Sequence, residues 1–423
     1  MLLRFCLYGF LKDQLYFESF FLLAFLQRGL SFSEWGLLTG FLHLCVNLLE
    51  VPTGAIADVL GRRRSMIVSM LAYIASFVIF STAWRLWTWF VAMAFFAVGQ
   101  AFRTGTHKAI IFDWLNRQGR SSEKTHVYGL TRSWSKLGSA VCVIIAAVIV
   151  FYTEDYRALF LYSLIPYVLN VLNFMTYSSY LDGPRSGHGQ VSSVARTLLT
   201  ALVESFRRRR MRRLLIESMG FEGLYNSAKD YIQPIIKAAA LAAPVLLTLD
   251  DRRRTAVLVG AVYFLLHVLS SAASRRSGTL SKRAGGDKRA ARMLWLGDLL
   301  GFVILAGGAI ANVPAVMIGA FVLLAVLQNF WRPILVSRFA SLSDPSRTAT
   351  LLSIESQAKS LFIAVIAPLL GWSVDMIAAA TRGGPAFMAS WRFLPIAAIG
   401  VAIPLGMLTI SRRNAVPAVS QLR

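Results

Sequence analysis

The sequence predicts an all-α membrane protein in which twelve transmembrane helices form two six-helix bundles. Three observations predict it: 56% of the 423 residues are hydrophobic and only 15% are charged, apolar runs recur along the chain, and one long polar gap divides them six and six. Soluble domains carry about 25% charged residues. Each run has roughly 18 to 26 residues, the length at which a helix crosses a hydrocarbon core of about 30 Å.

The twelve runs are numbered along the chain. They lie near residues 4 to 27, 34 to 57, 65 to 83, 87 to 113, 127 to 152, 157 to 181, 213 to 237, 255 to 274, 293 to 311, 315 to 338, 349 to 374 and 391 to 411. Lys12, Asp13 and Glu18 interrupt run 1 and no small-residue cleavage site follows it, so we expect it to remain as a helix rather than to be a signal peptide. The three cysteines show neither pairing nor metal-ligand spacing, and we expect no metal and no cofactor.

The net charge of +23 is concentrated in alternate loops, which topology explains better than nucleic-acid binding does. By the positive-inside rule, these loops and both termini are predicted to be cytoplasmic. One loop disagrees, because Asp250, Asp251 and the three arginines that follow them fall on the predicted outer side. The cytoplasmic basic residues are Arg62 to Arg64, Arg117, Arg120, Lys124, Arg207 to Arg210, Arg212, Arg213, Arg275, Arg276, Lys282, Arg283, Lys288, Arg289 and Arg292.

The longest polar gap separates runs 6 and 7 and reads as a linker between domains. We therefore expect an N-terminal six-helix bundle at residues 1–181, a cytoplasmic linker at 182–212 and a C-terminal six-helix bundle at 213–423. Apolar residues recur at helical spacing between Val191 and Phe206, which favours a helix that lies on the membrane surface.

The two groups of runs repeat short patterns in the same order. Run 1 contains LYGFLKD, which ends at Asp13, and run 7 contains LYNSAKD, which ends at Asp230. Run 5 carries Arg132 four residues before a lysine, and run 11 carries Glu355 four residues before another. Several such repeats in one order predict a parallel six-plus-six duplication.

The stretch GAIADVLGRRR, which begins at Gly54, joins runs 2 and 3. We expect Gly54 to let a neighbouring helix approach closely, Gly61 to permit a tight turn, and Asp58 to end a helix where an acid is costly in lipid. Arg62 and Arg63 are expected to anchor the loop and to pair with Asp58 or another nearby acid. The pattern Gly, three residues, Asp, two residues, Gly, Arg, Arg resembles the signature loop of the major facilitator superfamily (MFS).

This resemblance implies the MFS fold, with two bundles that rock about a central site by alternating access. It further implies that Asp58 and the arginines latch the cytoplasmic face and communicate with an acid at the end of span 4, where Asp113 stands. A second copy, GTLSKRAGGDKR, begins at Gly278, with Gly285 in the place of Gly61 but Lys282 in the place of Asp58. The alternative explanation is that the loop has no gating role. It would then be a helix terminator followed by the basic residues that are usual on the cytoplasmic side.

Ionisable side chains inside a bilayer are expensive unless they face a cavity or a partner. Several here form polar stripes at helical spacing, in runs 4, 5, 7 and 11, and such stripes are expected to line a shared cavity. Glu355 and Lys359 lie one turn apart and are expected to pair. Private pairs that only hold the halves together, such as Arg132 with Glu355, are the alternative. The predicted substrate-binding or coupling residues are Asp13, Glu18, Gln100, Arg103, His107, Arg132, Lys136, Glu222, Asn226, Lys229, Asp230, Glu355 and Lys359.

These patterns predict a secondary active transporter of a small solute, with proton coupling or facilitated exchange. The basic residues outnumber the acidic ones on the stripes, which favours an organic anion or a zwitterion as substrate. A multidrug/proton antiporter is the alternative, although run 5 lacks the Gly-Pro motif of that group; a membrane-embedded enzyme or a receptor is less favoured. No Walker sequence offers ATP coupling. We expect a monomer in the bacterial inner membrane whose partners are solute, protons and lipid, without nucleic acid.

Overall fold

A computed structural model describes residues 1–182, 207–243, 248–342, 345–382 and 388–413. Helices dominate this part of the chain, which contains no strand. Ten helices among the described residues are long and apolar enough to cross a membrane, by length and composition. Their helical segments are Phe32–Leu60, Arg62–Thr82, Leu86–Arg103 with Thr106–Arg117, Lys124–Thr153, Tyr156–Tyr162 with Leu164–Met175, Asp251–Arg283, Asp287–Ile310, Pro314–Ala340, Pro345–Ala380 and Leu394–Arg413. The predicted surface helix between Val191 and Phe206 lies outside the described residues.

The first and seventh spans complete the set of twelve, but both are interrupted. The first consists of Leu2–Lys12 and, after a turn, Phe21–Gln27. The seventh begins with Arg209–Ser218, passes through a π-helical turn, and ends with Ile232–Ala242. Hydropathy alone predicts each of them as one run, since an interruption hardly changes the apolar content. The predicted all-α membrane fold is confirmed.

Each interruption falls at a Lys-Asp pair. The first helix ends at Lys12, and Asp13 is its C-terminal cap residue. In the seventh span a 3₁₀ turn covers Lys229–Tyr231. Backbone groups released by an interruption inside a membrane need other partners. At the first break the Tyr167 hydroxyl donates to the Lys12 carbonyl at 2.9 Å.

The chain forms two compact units, which are described separately. The first comprises Met1–Thr200 and Ala240–Val268, and the second comprises Ala201–Ala239 and Leu269–Arg423. In the first unit, spans 1 and 5 approach closely, because a Cβ at Gly9 would lie 2.7 Å from the Thr131 carbonyl oxygen. Small residues permit such backbone contact between membrane helices. This packing brings the break in span 1 against span 5.

The second unit contains an aromatic cluster beside the π-helical turn of span 7. The Phe221 and Trp331 rings are stacked with centroids 4.2 Å apart, and Trp295 meets Trp331 edge-on at 5.6 Å. All three side chains are buried. Since Phe221 immediately precedes Glu222, this cluster fixes the position of that acid.

The loop that is predicted to lie outside, against the charge rule, makes contacts that explain its arginines. Arg253 pairs with Glu154 at 2.7 Å and donates to the Phe151 carbonyl at 3.2 Å, at the C-terminal end of span 5. Arg254 donates to the Ala243 carbonyl at 2.6 Å, just beyond the end of span 7. The last carbonyls of a helix have no partner within the helix, and cations stabilise them. These arginines therefore cap helix ends.

Candidate functional site

The loop between spans 2 and 3 turns at Gly61, where φ is +93°. Asp182, at the end of span 6, occupies the space beside it, because a Cβ on Gly61 would lie 2.7 Å from that of Asp182. The Arg63 backbone amide donates to the Asp182 carboxylate at 3.2 Å, and the Arg63 guanidinium donates to the Tyr177 carbonyl at 2.7 Å. Arg63 thus joins this loop to an acid in the 3₁₀ turn that follows span 6.

The other predicted gating residues are placed less tightly. Asp58 lies in the last turn of span 2, and its side chain is outside the description. Arg62 begins span 3. Asp113 pairs with Arg117 at 3.0 Å, one turn along its own helix. No described atom lies within 4 Å of a Cβ built on Gly54, so the close helix approach predicted there is wrong for the described residues.

The first unit gathers charges around the break in span 1. Lys12 and Asp13 pair at 2.8 Å, and the Ser135 hydroxyl of span 5 donates to the Asp13 carboxylate. Arg132 and Lys136 lie on either side of Ser135 and are exposed, and neither forms an ion pair with a described residue. Asp13 therefore balances Lys12 and leaves the cations of span 5 without a close acid.

Span 4 adds two more nitrogen-bearing side chains at its own interruption. It breaks between Arg103 and Thr106, where Gly105 has a φ of +78° and open space in front of it. The Arg103 guanidinium lies 5.8 Å from the Tyr73 ring. The His107 ring lies 4.0 Å from the Tyr8 ring, centroid to centroid.

Both side chains keep unused hydrogen-bonding atoms. Within the described part of the chain, Arg103 Nε and His107 Nε2 are buried without a partner. Lys12 is within electrostatic range of both groups. The sequence-predicted residues Lys136, Arg103, His107 and Asp13 thus belong to one cluster, which we call the basic site. It contains the bases Lys12, Arg103 and Lys136, the acid Asp13, and His107.

The second unit forms a closed network of ion pairs. Glu222 of span 7 and Glu355 of span 11 are 3% and 0% exposed. Lys359 contacts both, at 2.6 Å to Glu222 and 3.1 Å to Glu355, so the predicted Glu355–Lys359 pair forms. Arg332 of span 10 contacts the same two acids at 3.2 and 2.8 Å. The Ser218 hydroxyl donates to Glu355. We call these five residues the ion-pair network.

Arg332 is the functional candidate that the sequence analysis missed. Run 10 is not among the predicted polar stripes, because its polar residues Gln328, Asn329 and Arg332 are few among apolar ones. A signal was nevertheless present. Arg103 follows Phe102 and precedes the break in span 4, and Arg332 follows Trp331 and precedes Pro333 in span 10. An aromatic residue, an arginine and a helix-disrupting position thus recur in both halves.

The remaining predicted residues are not among those that define these two clusters. Glu18 is exposed at the start of the second helix of span 1, and Gln100 is half-buried one turn before Arg103. Asn226, Lys229 and Asp230 are half-buried on span 7, the last two in its 3₁₀ turn.

Comparisons with known proteins agree with this architecture. The family model of the Major Facilitator Superfamily matches residues 14–368. A comparison with curated proteins gives no match. A crystal structure of a variant of the nucleoside transporter NupG is similar at a TM-score of 0.78 and 12% identity, covering 97% of this chain and 99% of that one.

Two peptide-transporter structures are also similar. The peptide transporter POT in complex with sulfate has a TM-score of 0.70 and 13% identity, covering 97% of this chain and 94% of that one. A POT family transporter in complex with 5-aminolevulinic acid has a TM-score of 0.69 and 14% identity, covering 98% and 96%. The family match and the transporter folds indicate a multi-pass membrane transporter rather than an enzyme. The chain belongs to the Major Facilitator Superfamily.

Proposed function

We propose that this protein is a secondary active transporter that moves a small organic anion or zwitterion by alternating access. The observation that carries the proposal is the composition of the basic site, where three bases face the single acid Asp13. The attraction between unlike charges is several times stronger in a partly desolvated site than in water. A carboxylate or phosphate is the ligand chemistry that such a site favours.

The interruption of span 4 supports the same ligand class. The helix that starts at Thr106 has no side-chain cap, because its N-terminal cap residue is Gly105. The amides of an uncapped N-terminus point outwards and carry partial positive charge. Anions bind at such termini, and discontinuous helices of transporters use them in this way. Arg103 and His107 lie on either side of the break. Within the described residues, Arg103 Nε and His107 Nε2 have no partner, so each can donate a hydrogen bond to an anion.

The ion-pair network does not add to the positive charge. Its two bases face two acids, so Lys359, which the sequence analysis counted among the surplus cations, is neutralised by Glu222 and Glu355. We propose that this network instead fixes spans 7, 10 and 11 relative to one another. The selectivity for an anionic group then comes from the basic site.

Coupling and topology complete the proposal. We propose that protons drive uptake through an acid among Asp13, Glu18, Glu222 and Asp230, and that Asp58 and the arginines of its loop latch the cytoplasmic side. The protein would act as a monomer in the bacterial inner membrane with both termini in the cytoplasm.

The direct test is uptake into proteoliposomes. Purified protein is reconstituted and presented with labelled sulfate, 5-aminolevulinic acid, dipeptides, nucleosides and a lipophilic cation, each with and without an inward proton gradient. The first probes follow the ligands and transporters named for the similar structures. We expect uptake of an anionic or zwitterionic solute, stimulated by the gradient.

Other outcomes would overturn the proposal. Transport of the lipophilic cation alone would favour the drug/proton antiporter. Ligand binding without counterflow would indicate a receptor, and chemical conversion of a solute without uptake would indicate an enzyme. Uptake that does not depend on the proton gradient would exclude proton coupling but would leave the proposed substrate class unchanged.

A further inference from the structure

One end of the second unit carries an unusual density of exposed basic side chains. They come from the start of span 7, the end of span 8 and the start of span 9. We call them the arginine patch, which consists of Arg207, Arg208, Arg210, Arg212, Lys282, Arg283, Lys288, Arg289 and Arg292.

Buried apolar contacts hold the three segments together. Met211 and Leu214 of span 7 belong to the same core cluster as Ala291 and Leu294 of span 9, and Leu280 of span 8 packs against it. The basic residues are therefore not spread over separate flexible loops. They surround one packed core and share one end of the unit.

Among the described residues, the acids of these segments form no ion pair with the patch. Asp287 accepts hydrogen bonds from Ser281 and from Ser337, the latter at 2.6 Å. Glu217 pairs with Arg213 at 2.8 Å and also with Arg338, and neither of these arginines belongs to the patch. The patch thus keeps a large positive charge, which must be balanced by something outside these segments.

The exposed apolar surface next to the arginine patch indicates where the patch lies along the membrane normal. On span 9, Met293, Leu296 and Leu300 are more than half exposed and continue the face on which Arg289 and Arg292 stand, at helical spacing. Exposed apolar residues on a membrane helix face acyl chains. Basic side chains one turn above such a stripe lie at the level of the lipid headgroups.

We propose that the arginine patch binds the headgroups of anionic phospholipids. A guanidinium forms paired, charge-assisted hydrogen bonds to phosphate oxygens, which suits a phosphodiester better than a neutral headgroup. Clusters of four to eight basic residues next to a transmembrane helix recognise anionic lipids for this reason. The continuous apolar stripe selects a lipid rather than a soluble phosphate.

Lipid retention tests the proposal. The full chain is purified in mild detergent with equal amounts of phosphatidylglycerol and phosphatidylcholine, and the bound lipids are quantified by mass spectrometry. We expect preferential retention of phosphatidylglycerol. The triple variant Arg207→Gln, Arg208→Gln, Arg210→Gln should retain at least about threefold less phosphatidylglycerol than the parent protein. A variant with lysine at the same three positions should retain most of it.

A charge-matched control removes three exposed basic residues outside the patch, with Arg85→Gln, Lys237→Gln and Arg382→Gln. It should retain phosphatidylglycerol like the parent protein. Equal retention of both lipids by the parent, or equal loss in the patch and control variants, would refute the proposal. If the glutamine triple does not fold, Arg289→Gln with Arg292→Gln provides the same comparison, and unchanged retention there would also refute it.

Discussion

Among the described residues of the first unit, the side chains of the Lys12–Asp13 pair are joined by a single serine of span 5. In the second unit, charged groups of spans 7, 10 and 11 close into one network. The helical positions correspond. Both halves have an arginine before a disrupted position and, in the next helix, a charged residue four positions before a lysine. Only the sign of that charged residue differs: it is Arg132 in the first half and Glu355 in the second.

This single sign explains the difference between the two clusters. Glu355 can bind Arg332 and Lys359 together, because an acid between two bases gains from both. Arg132 repels Lys136, and as a cation it cannot pair with Arg103. A duplicated scaffold has thus given one neutral, closed network and one basic, incompletely paired site. We therefore propose that the basic site is available for ligand, whereas the charges of the network bind one another.

Breaking the network should have the largest effect. Glu355→Gln leaves Arg332 and Lys359 with one acid, and removing one partner of a buried ion pair costs about 3–5 kcal/mol. We expect a markedly lower temperature of thermal unfolding in detergent and no transport. The control is Glu123→Gln, which removes an acid from the exposed pair with Arg120 and should leave unfolding unchanged.

A double variant separates charge from packing. Replacing a whole buried pair costs less than breaking it, so Glu355→Gln combined with Lys359→Met should recover part of the lost stability. No recovery would contradict the view that the network is a balance of charges.

A substitution in the basic site should lower the transport rate and leave the stability of the protein unchanged. Arg103→Gln removes a charged donor that we assign to the substrate, and hydrogen bonds to charged groups contribute about 1.5–3 kcal/mol. Uptake at low substrate concentration should therefore fall about tenfold to a hundredfold, with normal thermal unfolding. Lys108→Gln, an exposed neighbour beside Phe112, is the matched control and should transport normally. Equal losses in both variants would exclude a specific role for Arg103.

The two copies of the signature loop offer a third comparison. Asp58→Asn should slow transport about fivefold, which corresponds to about 1 kcal/mol, without affecting membrane insertion, because a latch acts on the conformational step. Lys282→Gln changes the corresponding position of the second copy and should leave the rate unchanged. Proteoliposome uptake rates normalised to protein content measure both. Wild-type rates for Asp58→Asn would exclude the latch.

The smallest effect is expected when the first half is made to resemble the second. Arg132→Glu creates a Glu-Lys pair one turn apart on span 5, a geometry that contributes about 0.3–0.5 kcal/mol on a helix. The lost positive charge should raise the KM for an anionic substrate about threefold. Ser133→Glu places a glutamate about 100° around the helix and changes the net charge by one unit instead of two, so it should raise KM less. A higher KM for Ser133→Glu than for Arg132→Glu would indicate that the substrate binds at another face of span 5.

The spans and part of the network could be predicted from the sequence, because both depend on periodicity. Apolar runs show the spans, and the spacing of Glu355 and Lys359 shows a pair. Three features escaped for physical reasons. Arg332 comes from a helix with few polar residues, Gly105 is one of many glycines in apolar runs, and Asp182 anchors Arg63 across a long separation in the chain. Each depends on tertiary contact.

The helix-capping arginines of the outer loop also bear on how the chain enters the membrane. On the predicted topology, residues 250–254 are carried outward during insertion, against an inside-negative membrane potential. Each net elementary charge that moves this way opposes a potential of 100 mV at a cost of about 2.3 kcal/mol. Asp250 and Asp251 directly precede the three arginines, so the segment carries one net positive charge across. Replacing both acids by asparagine would triple that electrical work while leaving the caps on spans 5 and 7 their cations.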